Sequence, residues 1–339
     1  MALCSDFLPK KCKKLTALLV TGCFLYLIII NSNFRNTDPL IILVWHWPFR
    51  ATVNLSTNVC LDLYGIGNCI LTQNKSLFER ADVLVVHHWD VRGRNSDLPQ
   101  KARPPHQKWL WVNLESPSNT QNVHRLNGLF NWTMTYKTDS DIFLPYGELV
   151  RNSKTAQFSI PKKSKPVTWV VSNYHRNNWR AEYHASLSKY IEIDVYGRAN
   201  NKPISKEMLL PTISQYAFYE AFENSVHKDY ITEKLWRNAY LAGSVPVVLG
   251  PPRDNYEKFV PSDSFIHVND FVSEKELANF LTSLWKNQSH YAQYFNWRRK
   301  YSIKMTTDWK ERFCKICTKF HSLPQSQIYY DLNGWFEAE

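Results

Sequence analysis

The sequence lacks the glycine-rich motifs that mark the most common nucleotide-binding folds. Its 339 residues include only 10 glycines, and neither GxGxxG nor GxxxxGKS/T occurs. The usual dinucleotide-binding and P-loop classes therefore have no support. Internal repeats and low-complexity tracts are absent as well.

Long runs of like charge are also missing. No Lys/Arg run marks a nucleic-acid-binding arm, although the net charge is +11. That charge fits a solvated basic surface, or an anionic partner such as a nucleotide diphosphate or an acidic glycan. The chain is otherwise globular in composition, with 44% hydrophobic residues, 13 Trp and 18 Tyr. Aromatic rings in such number suit a polar cleft in which sugars stack.

One uncharged apolar run lies near the start of the chain, from Leu15 to Ile30, directly after a cluster of lysines. Its length fits a signal peptide or a short membrane anchor. No small-x-small cleavage site follows, which favours the anchor. The lysines keep the N-terminus in the cytosol. We predict a cytoplasmic tail over residues 1–14, a transmembrane anchor over 15–30 and a stem over 31–38, with the remaining chain in the lumen.

The cysteines and glycosylation sequons agree with a lumenal body. Beyond the anchor region the chain has an even set of cysteines, namely Cys60, Cys69, Cys314 and Cys317. The last two could form half of a zinc site or a redox motif, but no second ligand pair has matching spacing. Two structural disulfides that join the chain start to the chain end are therefore predicted. N-x-S/T sequons, and hence predicted N-glycosylation sites, occur at Asn54, Asn74, Asn131 and Asn287.

Apolar runs repeat along the body in the manner of parallel strands that are buried on both faces. Strands are predicted at 40–45, 83–87 and 109–112, and again at 167–172, 191–196, 219–222, 245–249 and 265–268. Helices are predicted at 180–188, 232–241, 273–285 and 308–320. The polar segment 151–166 separates the two series. The prediction is an α/β protein with two Rossmann-like domains facing across a cleft, at 39–150 and 167–307, with 308–339 as a C-terminal segment.

The segment from Phe222 to Pro252 carries the densest chemistry. It predicts a strand, a polar loop, a helix that begins near Thr232, a C-cap at Gly243 and another buried strand. Lys234 lies in the first helical turn, where the helix dipole disfavours a cation. An anion docked there would remove the conflict, so Lys234 is a candidate diphosphate ligand. The alternative is an exposed lysine that pairs with a neighbouring carboxylate.

Glu115 is a candidate general base. The run WLWVNLESP predicts a buried strand that delivers Glu115 at its carboxyl end, just before Pro117. A partly desolvated carboxylate in that position can accept a proton from a substrate. An ordinary turn glutamate is the alternative.

Two other patterns are weaker indications of a functional site. Asp139-Ser140-Asp141 resembles a metal-binding DxD motif, but short Asp-rich stretches are usually turns. His87-His88 is more typical of capping or core residues than of metal ligands.

Three long segments resemble the alpha-1,3-fucosyltransferases, which form glycosyltransferase family 10. They are FENSVHKDYITEKLWRNAYLAGSVPVVLGPPRDNYEKFVP, KWLWVNLESPSNT and FNWTMTYKTDSDIFLPYG. The resemblance runs from residue 42 to the end of the chain, and the ending is most similar to that of leukocyte-type members. It implies a two-domain GT-B fold, an inverting mechanism, a single-pass type II anchor in the Golgi membrane, and transfer of L-fucose from GDP-fucose to glycans of glycoproteins and glycolipids.

The resemblance also implies a role for each matching residue. Glu115 falls on the catalytic base and Arg180 on a diphosphate-binding arginine. Four further positions fall on donor-binding residues, namely Asn224, Tyr230, Glu233 and Lys234. The cysteines fall on the pairs Cys60–Cys314 and Cys69–Cys317, which join the two chain ends. Arg180 and Lys234 would hold the diphosphate without a bridging metal, so no bound cofactor or metal site is predicted, and manganese is left as a possible stimulant.

The acceptor implied by the leukocyte-type likeness is an α2,3-sialylated N-acetyllactosamine chain, with a sialyl Lewis x product. A sialic carboxylate requires a cationic group in the acceptor-side domain, some distance from Glu115, and arginine suits it best. The segment from Val91 to Lys108 offers Arg92, Arg94, Lys101, Arg103 and Lys108. The alternatives are a family member that acts on neutral N-acetyllactosamine, a GT-B transferase that uses another nucleotide sugar, and a catalytically silent glycan-binding protein. A nucleic-acid partner is not expected.

Overall fold

The computed structural model describes residues 38–93 and 97–338, and two parallel β-sheets form its framework. The predicted tail, anchor and most of the stem, as well as Arg94, lie outside the described residues. Within the described ranges, no helix has the length and apolar character needed to cross a membrane.

The first sheet has six parallel strands in the order β2-β1-β3-β4-β5-β6. They are β1 (Leu40–Val44), β2 (Cys69–Thr72), β3 (Val83–His87), β4 (Lys108–Asn113), β5 (Trp132–Thr135) and β6 (Ile142–Phe143), with helices α1 (Val59–Tyr64) and α2 (His88–Val91) between them. Every residue of β3 is buried, as a continuous apolar run predicts for a sheet covered on both faces. Strand β7 (Glu148–Arg151) follows outside this sheet.

The second sheet has five parallel strands in the order β12-β11-β10-β8-β9. They are β8 (Lys165–Val170), β9 (Ile193–Tyr196), β10 (Tyr216–Phe222), β11 (Val245–Leu249) and β12 (Ile266–His267). The helices of this half are α3 (Trp179–Leu187), α4 (Lys206–Ile213), a π-helix (Lys234–Leu241), α5 (Arg253–Tyr256), α6 (Glu274–Lys286) and α7 (Gln288–Gln293). In both sheets the first strand lies between the second and the third, which creates a crevice at its carboxyl end.

The C-terminal segment returns to the first sheet. Strand β13 (Tyr301–Lys304) pairs antiparallel with β7. Helix α8 (Trp309–Lys319) then packs on one face of the first sheet, and α9 (Leu332–Glu337) packs on the other. Two disulfides, Cys60–Cys314 and Cys69–Cys317, join α8 to α1 and β2. Short 3₁₀ helices lie at Pro48–Arg50, Lys75–Arg80, Pro117–Asn119, Val123–Leu126, Arg198–Asn200, Val268–Asp270, Asn296–Arg299 and Phe320–Ser322.

The predicted α/β class with parallel sheets is confirmed, and each predicted strand and helix is present within a few residues of its expected bounds. The helix expected to begin at Thr232 differs. It is a π-helix that begins at Lys234, and Thr232 does not cap it because its hydroxyl donates to Glu223 instead. The predicted glycine at the end of this helix is confirmed. Gly243 has φ +73°, the left-handed conformation that favours glycine, and a Cβ there would meet Pro161 Cδ at 2.9 Å.

Candidate active site

A cavity of about 420 Å³ occupies the crevice of the second sheet, at the carboxyl ends of β8 and β10. The chain after β8 contributes Ser172 and Asn173, and the loop after β10 contributes Asn224. The remaining polar lining comes mostly from helices and is cationic, namely Arg180, Lys206, Lys234 and Arg237, with Glu233 and Asn238 beside them. Parallel sheets bind ligands in such crevices, and this lining suits an anion.

Arg180 lies in the first turn of α3 and is buried, with 5% of its surface exposed. Its guanidinium donates to the Asn173 carbonyl at 2.7 Å and to the Phe222 carbonyl at 3.3 Å. Among the described residues, no carboxylate forms an ion pair with it. Burial lowers the pKa of this guanidinium, because the charged form loses hydration. An anion in the cavity would compensate the buried charge.

Lys234 also lines this cavity, and it lies within a buried group of polar side chains. Its Nζ is 3.1 Å from Glu223 Oε2, 3.3 Å from Glu233 Oε1 and 2.9 Å from Thr232 Oγ1. Thr232 also donates its backbone N–H to Glu223 at 2.8 Å. Although burial acts to lower it, the charges of Glu223 and Glu233 raise the pKa of Lys234 above its ordinary value. Lys234 is therefore charged, and it is already compensated by two carboxylates.

Glu115 follows β4 at the carboxyl edge of the first sheet and lines a second cavity of about 320 Å³. The Asn113 side chain accepts from the Glu115 N–H at 3.3 Å and donates to the Glu115 carbonyl at 3.2 Å, which fixes the turn. Desolvation raises the pKa of the Glu115 carboxyl, although the charge of Lys234 and a hydrogen bond from Tyr230 act in the opposite direction. A raised pKa makes the carboxylate a stronger base near neutral pH.

The two cavities share two residues, Glu233 and Arg237, which line both. The rest of the second cavity is lined mostly by aromatic and polar side chains, among them Phe49, His87, Trp89, Tyr146, Trp309 and Arg312. A ligand bound in the cationic cavity therefore meets a ligand bound beside Glu115 at Glu233 and Arg237. This arrangement suits a group transfer in which Glu115 deprotonates an acceptor.

Polar contacts between loops hold the two carboxyl edges together. Asp229, in the loop after β10, accepts from the Thr138 N–H at 2.9 Å and from the Thr138 hydroxyl at 2.6 Å. Ser225 donates to Ser116 at 2.6 Å, one residue beyond Glu115. Because the first sheet carries Glu115 and the second carries the cationic cavity, these contacts fix the distance between them.

Comparison with known proteins identifies the family. The "Fucosyltransferase, N-terminal" family matches residues 37–147, and "Glycosyltransferase family 10 (fucosyltransferase) C-term" matches residues 160–335. The chain is 49% identical to human alpha-(1,3)-fucosyltransferase 7 over 315 residues, which cover 91% of each sequence.

The chain belongs to glycosyltransferase family 10, the fucosyltransferases. It is also 46% identical over 309 residues to the rat 4-galactosyl-N-acetylglucosaminide 3-alpha-L-fucosyltransferase 9, covering 90% of this chain and 85% of that one. A crystal structure of an alpha1,3-fucosyltransferase with GDP-fucose has a similar fold, with a TM-score of 0.58 at 19% identity, over 88% of this chain and 94% of the other.

The candidate donor-binding residues lie in two different places in the structure. Arg180, Asn224, Glu233 and Lys234 all line the cationic cavity. Tyr230 does not line it. It is buried, its ring packs against Tyr136 at 4.9 Å between centroids, and its hydroxyl donates to Glu115 Oε2 at 3.4 Å. Tyr230 therefore contacts the candidate base rather than the candidate donor site.

Three of the five cations suggested for an acceptor carboxylate lie at the edge of the first sheet opposite to Glu115. Lys101 pairs with Glu79, Arg103 donates to the Leu129 carbonyl, and Lys108 donates to the Gln325 carbonyl. These contacts lie at the amino ends of the strands, roughly 20 Å along β4 from Glu115. None of these three residues lines the Glu115 cavity, because proximity in the chain before a strand places them at its opposite end.

Arg92 differs from the other candidates because it follows α2 at the carboxyl edge. Its guanidinium stacks 4.2 Å from the centroid of Trp89, which lines the Glu115 cavity. Arg94 lies outside the described residues.

The sequon at Asn131 is incompatible with a glycan in the folded chain. Asn131 is 5% exposed, its Oδ1 accepts from the Trp109 N–H at 2.9 Å, and its Nδ2 donates to the Gln327 carbonyl at 2.8 Å. The sequence pattern does not report burial, so this predicted site is wrong. The other three sequons are exposed, at Asn54, Asn74 and Asn287.

The Asp139-Ser140-Asp141 and His87-His88 patterns form hydrogen bonds within the fold. Asp141 accepts from the Thr133 N–H at 2.8 Å and from the Tyr329 hydroxyl at 2.9 Å. His88 bonds the Gln121 carbonyl and Trp111, whereas His87 pairs with buried Asp90 at 2.7 Å and lines the Glu115 cavity. Throughout residues 38–93 and 97–338, no group of three or more His, Cys, Asp or Glu side chains is arranged to hold a metal.

Sequence reasoning missed several residues that line the cavities, chiefly Arg237, Asn238, Trp89, Trp309 and Arg312. Arg237 and Asn238 lie three and four positions after Lys234, on the helical face that Lys234 already marks, so helical spacing could have identified them. Trp309 and Arg312 come from α8, far along the chain, and no local signal points to them.

Proposed function

We propose that this chain is an alpha-1,3-fucosyltransferase that transfers L-fucose from GDP-fucose to the 3-OH of N-acetylglucosamine in N-acetyllactosamine glycans, with inversion at the anomeric carbon. The observation that carries the proposal is the junction of the Glu115 cavity with the cationic cavity at Glu233 and Arg237. The relatives support the reaction: two of them are named for fucosyl transfer to position 3, and a similarly folded protein was crystallised with GDP-fucose.

In this reaction Glu115 acts as the general base. It accepts the proton of the acceptor 3-OH while that oxygen attacks the fucose anomeric carbon. The bond from that carbon to the β-phosphate oxygen breaks, and GDP leaves with the electron pair. Because attack comes from the face opposite GDP, a β-linked donor gives an α-linked product. The cations of the donor cavity stabilise the diphosphate charge, so a bridging metal is not needed, and manganese is expected at most to stimulate turnover.

The acceptor that we propose is α2,3-sialylated, so that the product carries sialyl Lewis x. Arg92 is the candidate carboxylate ligand, since it is exposed beside Trp89 at the rim of the Glu115 cavity. Planar guanidinium groups bind carboxylates through two parallel hydrogen bonds. A neutral N-acetyllactosamine acceptor is the second candidate, supported by the 46% identity to the 4-galactosyl-N-acetylglucosaminide enzyme of rat.

One experiment tests both levels of the proposal. The lumenal part is incubated with GDP-fucose and other nucleotide sugars, and with sialylated and neutral N-acetyllactosamine at equal concentration. Product formation with GDP-fucose alone is expected, with the sialylated chain preferred. Arg92→Ala should reduce that preference, whereas Lys101→Ala, at the opposite edge of the sheet, should leave it unchanged. Transfer from another nucleotide sugar would overturn the reaction, and preference for the neutral chain would overturn only the acceptor.

We further propose that the protein is a single-pass type II protein of the Golgi membrane, with residues 15–30 as its anchor. The support is the apolar run preceded by lysines, the two disulfides and the three exposed sequons, which belong in an oxidising lumen. A C-terminal epitope tag should be protected from protease in intact Golgi vesicles. Its digestion without detergent would contradict this topology.

A further inference from the structure

The positive charge of Lys234 is neutralised by neighbouring carboxylates, which the sequence does not suggest. Lys234, the lysine expected to stabilise the leaving diphosphate, has two carboxylates within 3.3 Å of its Nζ. Glu223 is 1% exposed and Glu233 is the more accessible of the two. With this pairing Lys234 contributes little free positive charge to the cavity. A nucleoside diphosphate needs cations from elsewhere, and the charge on it grows as the sugar leaves.

Arg237 supplies a cation at the junction. It lines both cavities, so it lies where a donor sugar bound on one side meets an acceptor bound on the other. Its Nε donates to Asn238 Oδ1 at 2.9 Å, and no ion pair to a carboxylate occupies its guanidinium among the described residues. The two terminal nitrogens are therefore available to a ligand.

The guanidinium is held in position by a chain of buried groups. Asn238, which accepts from Arg237, donates its own Nδ2 to the Tyr219 hydroxyl at 2.9 Å. Tyr219 lies in β10 and is fully buried, and Asn238 is 5% exposed. This chain connects the orientation of Arg237 to the rigid centre of the second sheet. A donor that is oriented before the reaction stabilises developing charge without reorganisation.

We propose that Arg237 is a catalytic residue that hydrogen-bonds the β-phosphate of the leaving nucleoside diphosphate at the junction of the two cavities. The inference rests on the proposed function, since it takes GDP-fucose as donor. As the anomeric carbon–oxygen bond breaks, its electron pair moves to the β-phosphate oxygen and GDP gains one negative charge. The terminal N–H groups of Arg237 donate to that oxygen, while Arg180, which lines only the cationic cavity, binds the rest of the diphosphate.

The decisive test compares GDP with GMP, because only GDP carries a β-phosphate. Binding of each nucleotide is titrated calorimetrically to the wild type, to Arg237→Met and to Arg237→Lys. Arg198→Met serves as the matched control, since Arg198 is exposed and lines neither cavity. Arg237→Met should weaken GDP at least tenfold and leave GMP unchanged. Turnover should fall ~10²-fold or more, as for loss of one oriented donor, with Arg237→Lys recovering part of it.

Each outcome separates this inference from the proposed function. If the wild type binds neither GDP nor GMP, the proposed donor fails, and the inference fails with it. If the wild type binds GDP and Arg237→Met binds it equally well with unchanged turnover, Arg237 has no role at the β-phosphate. A rise in the KM for the acceptor alone, with GDP affinity unchanged, would assign Arg237 to the acceptor and also overturn the proposal. Thermal melting of each variant verifies folding.

Discussion

Removing the Tyr230 hydroxyl should shift the pH dependence of the reaction without disturbing the fold. The hydroxyl donates to Glu115 Oε2 at 3.4 Å, and this hydrogen bond lowers the pKa of the Glu115 carboxyl. Burial raises the pKa of Tyr230 itself well above its ordinary value, so the tyrosine stays a neutral donor at any assay pH. In Tyr230→Phe the ring remains packed against Tyr136 and Tyr146, and only the hydrogen bond is lost.

The magnitude follows from the geometry. A hydrogen bond to a charged group contributes ~1.5–3 kcal/mol when it is short and buried. A 3.4 Å contact to a carboxylate that opens on a solvated cavity is weaker, roughly 1 kcal/mol, or roughly 0.7 pKa unit. A general base must be deprotonated, so activity falls as the pH drops through its pKa. Raising that pKa therefore moves the acidic limb of kcat/KM to higher pH by roughly 0.7 unit.

The assay is the pH profile of kcat/KM for fucosyl transfer, measured for the wild type, Tyr230→Phe and a matched control. Tyr330→Phe is suitable as the control because Tyr330 is 78% exposed and lines neither cavity. An acidic limb at the same pH in Tyr230→Phe, or one shifted to lower pH, would refute the argument that this hydroxyl stabilises the Glu115 carboxylate. A shift of equal size in the control would show that the effect is not specific.

Three further predictions concern the base, the cations and the disulfides. Glu115→Gln should lower turnover ~10²–10⁴-fold while GDP still binds, because the amide cannot accept the proton; near-wild-type turnover would exclude Glu115 as the base. Arg180→Ala should reduce donor use with little loss of melting temperature. Lys234→Ala should reduce donor use and also lower the melting temperature, because it leaves the buried Glu223 carboxylate without its cationic partner. Equal melting temperatures of the two variants would contradict this. The two disulfides close loops of 254 and 248 residues. Removing one cysteine pair should cost roughly 3 kcal/mol of unfolding free energy, because the remaining disulfide still closes a long loop, whereas removing both should cost roughly 8 kcal/mol. Additive losses in denaturant titrations would argue against this.

The sequence determined the parallel-sheet architecture of this protein and the place of its candidate base, Glu115. Runs such as Val83–His87 and Trp109–Val112 are apolar throughout, and a strand of this kind is stable only inside a parallel sheet with both faces covered. That rule makes the carboxyl edge the functional edge and places Glu115 on it. Lys234 was identifiable for a different reason, since it contradicts the helix dipole at its position.

The sequence also carried the resemblance to family 10, which extends over most of the chain and which the matches to both halves confirm. From that likeness came the cysteine pairing, which spacing alone leaves among three alternatives. The structure joins the same pairs, Cys60 with Cys314 and Cys69 with Cys317.

Only the tertiary structure decided which side chains meet. Tyr230 follows β10 in the second half of the chain, yet its hydroxyl reaches Glu115 of the first half, a contact between residues 115 positions apart. Arg103 and Lys108 precede Glu115 closely in sequence but lie at the far edge of the sheet, because an extended strand carries the chain ~3.3 Å per residue. The pairing of Lys234 with Glu223, the burial of Asn131 and the place of Arg237 between two cavities depend on packing between distant segments, which no local pattern encodes.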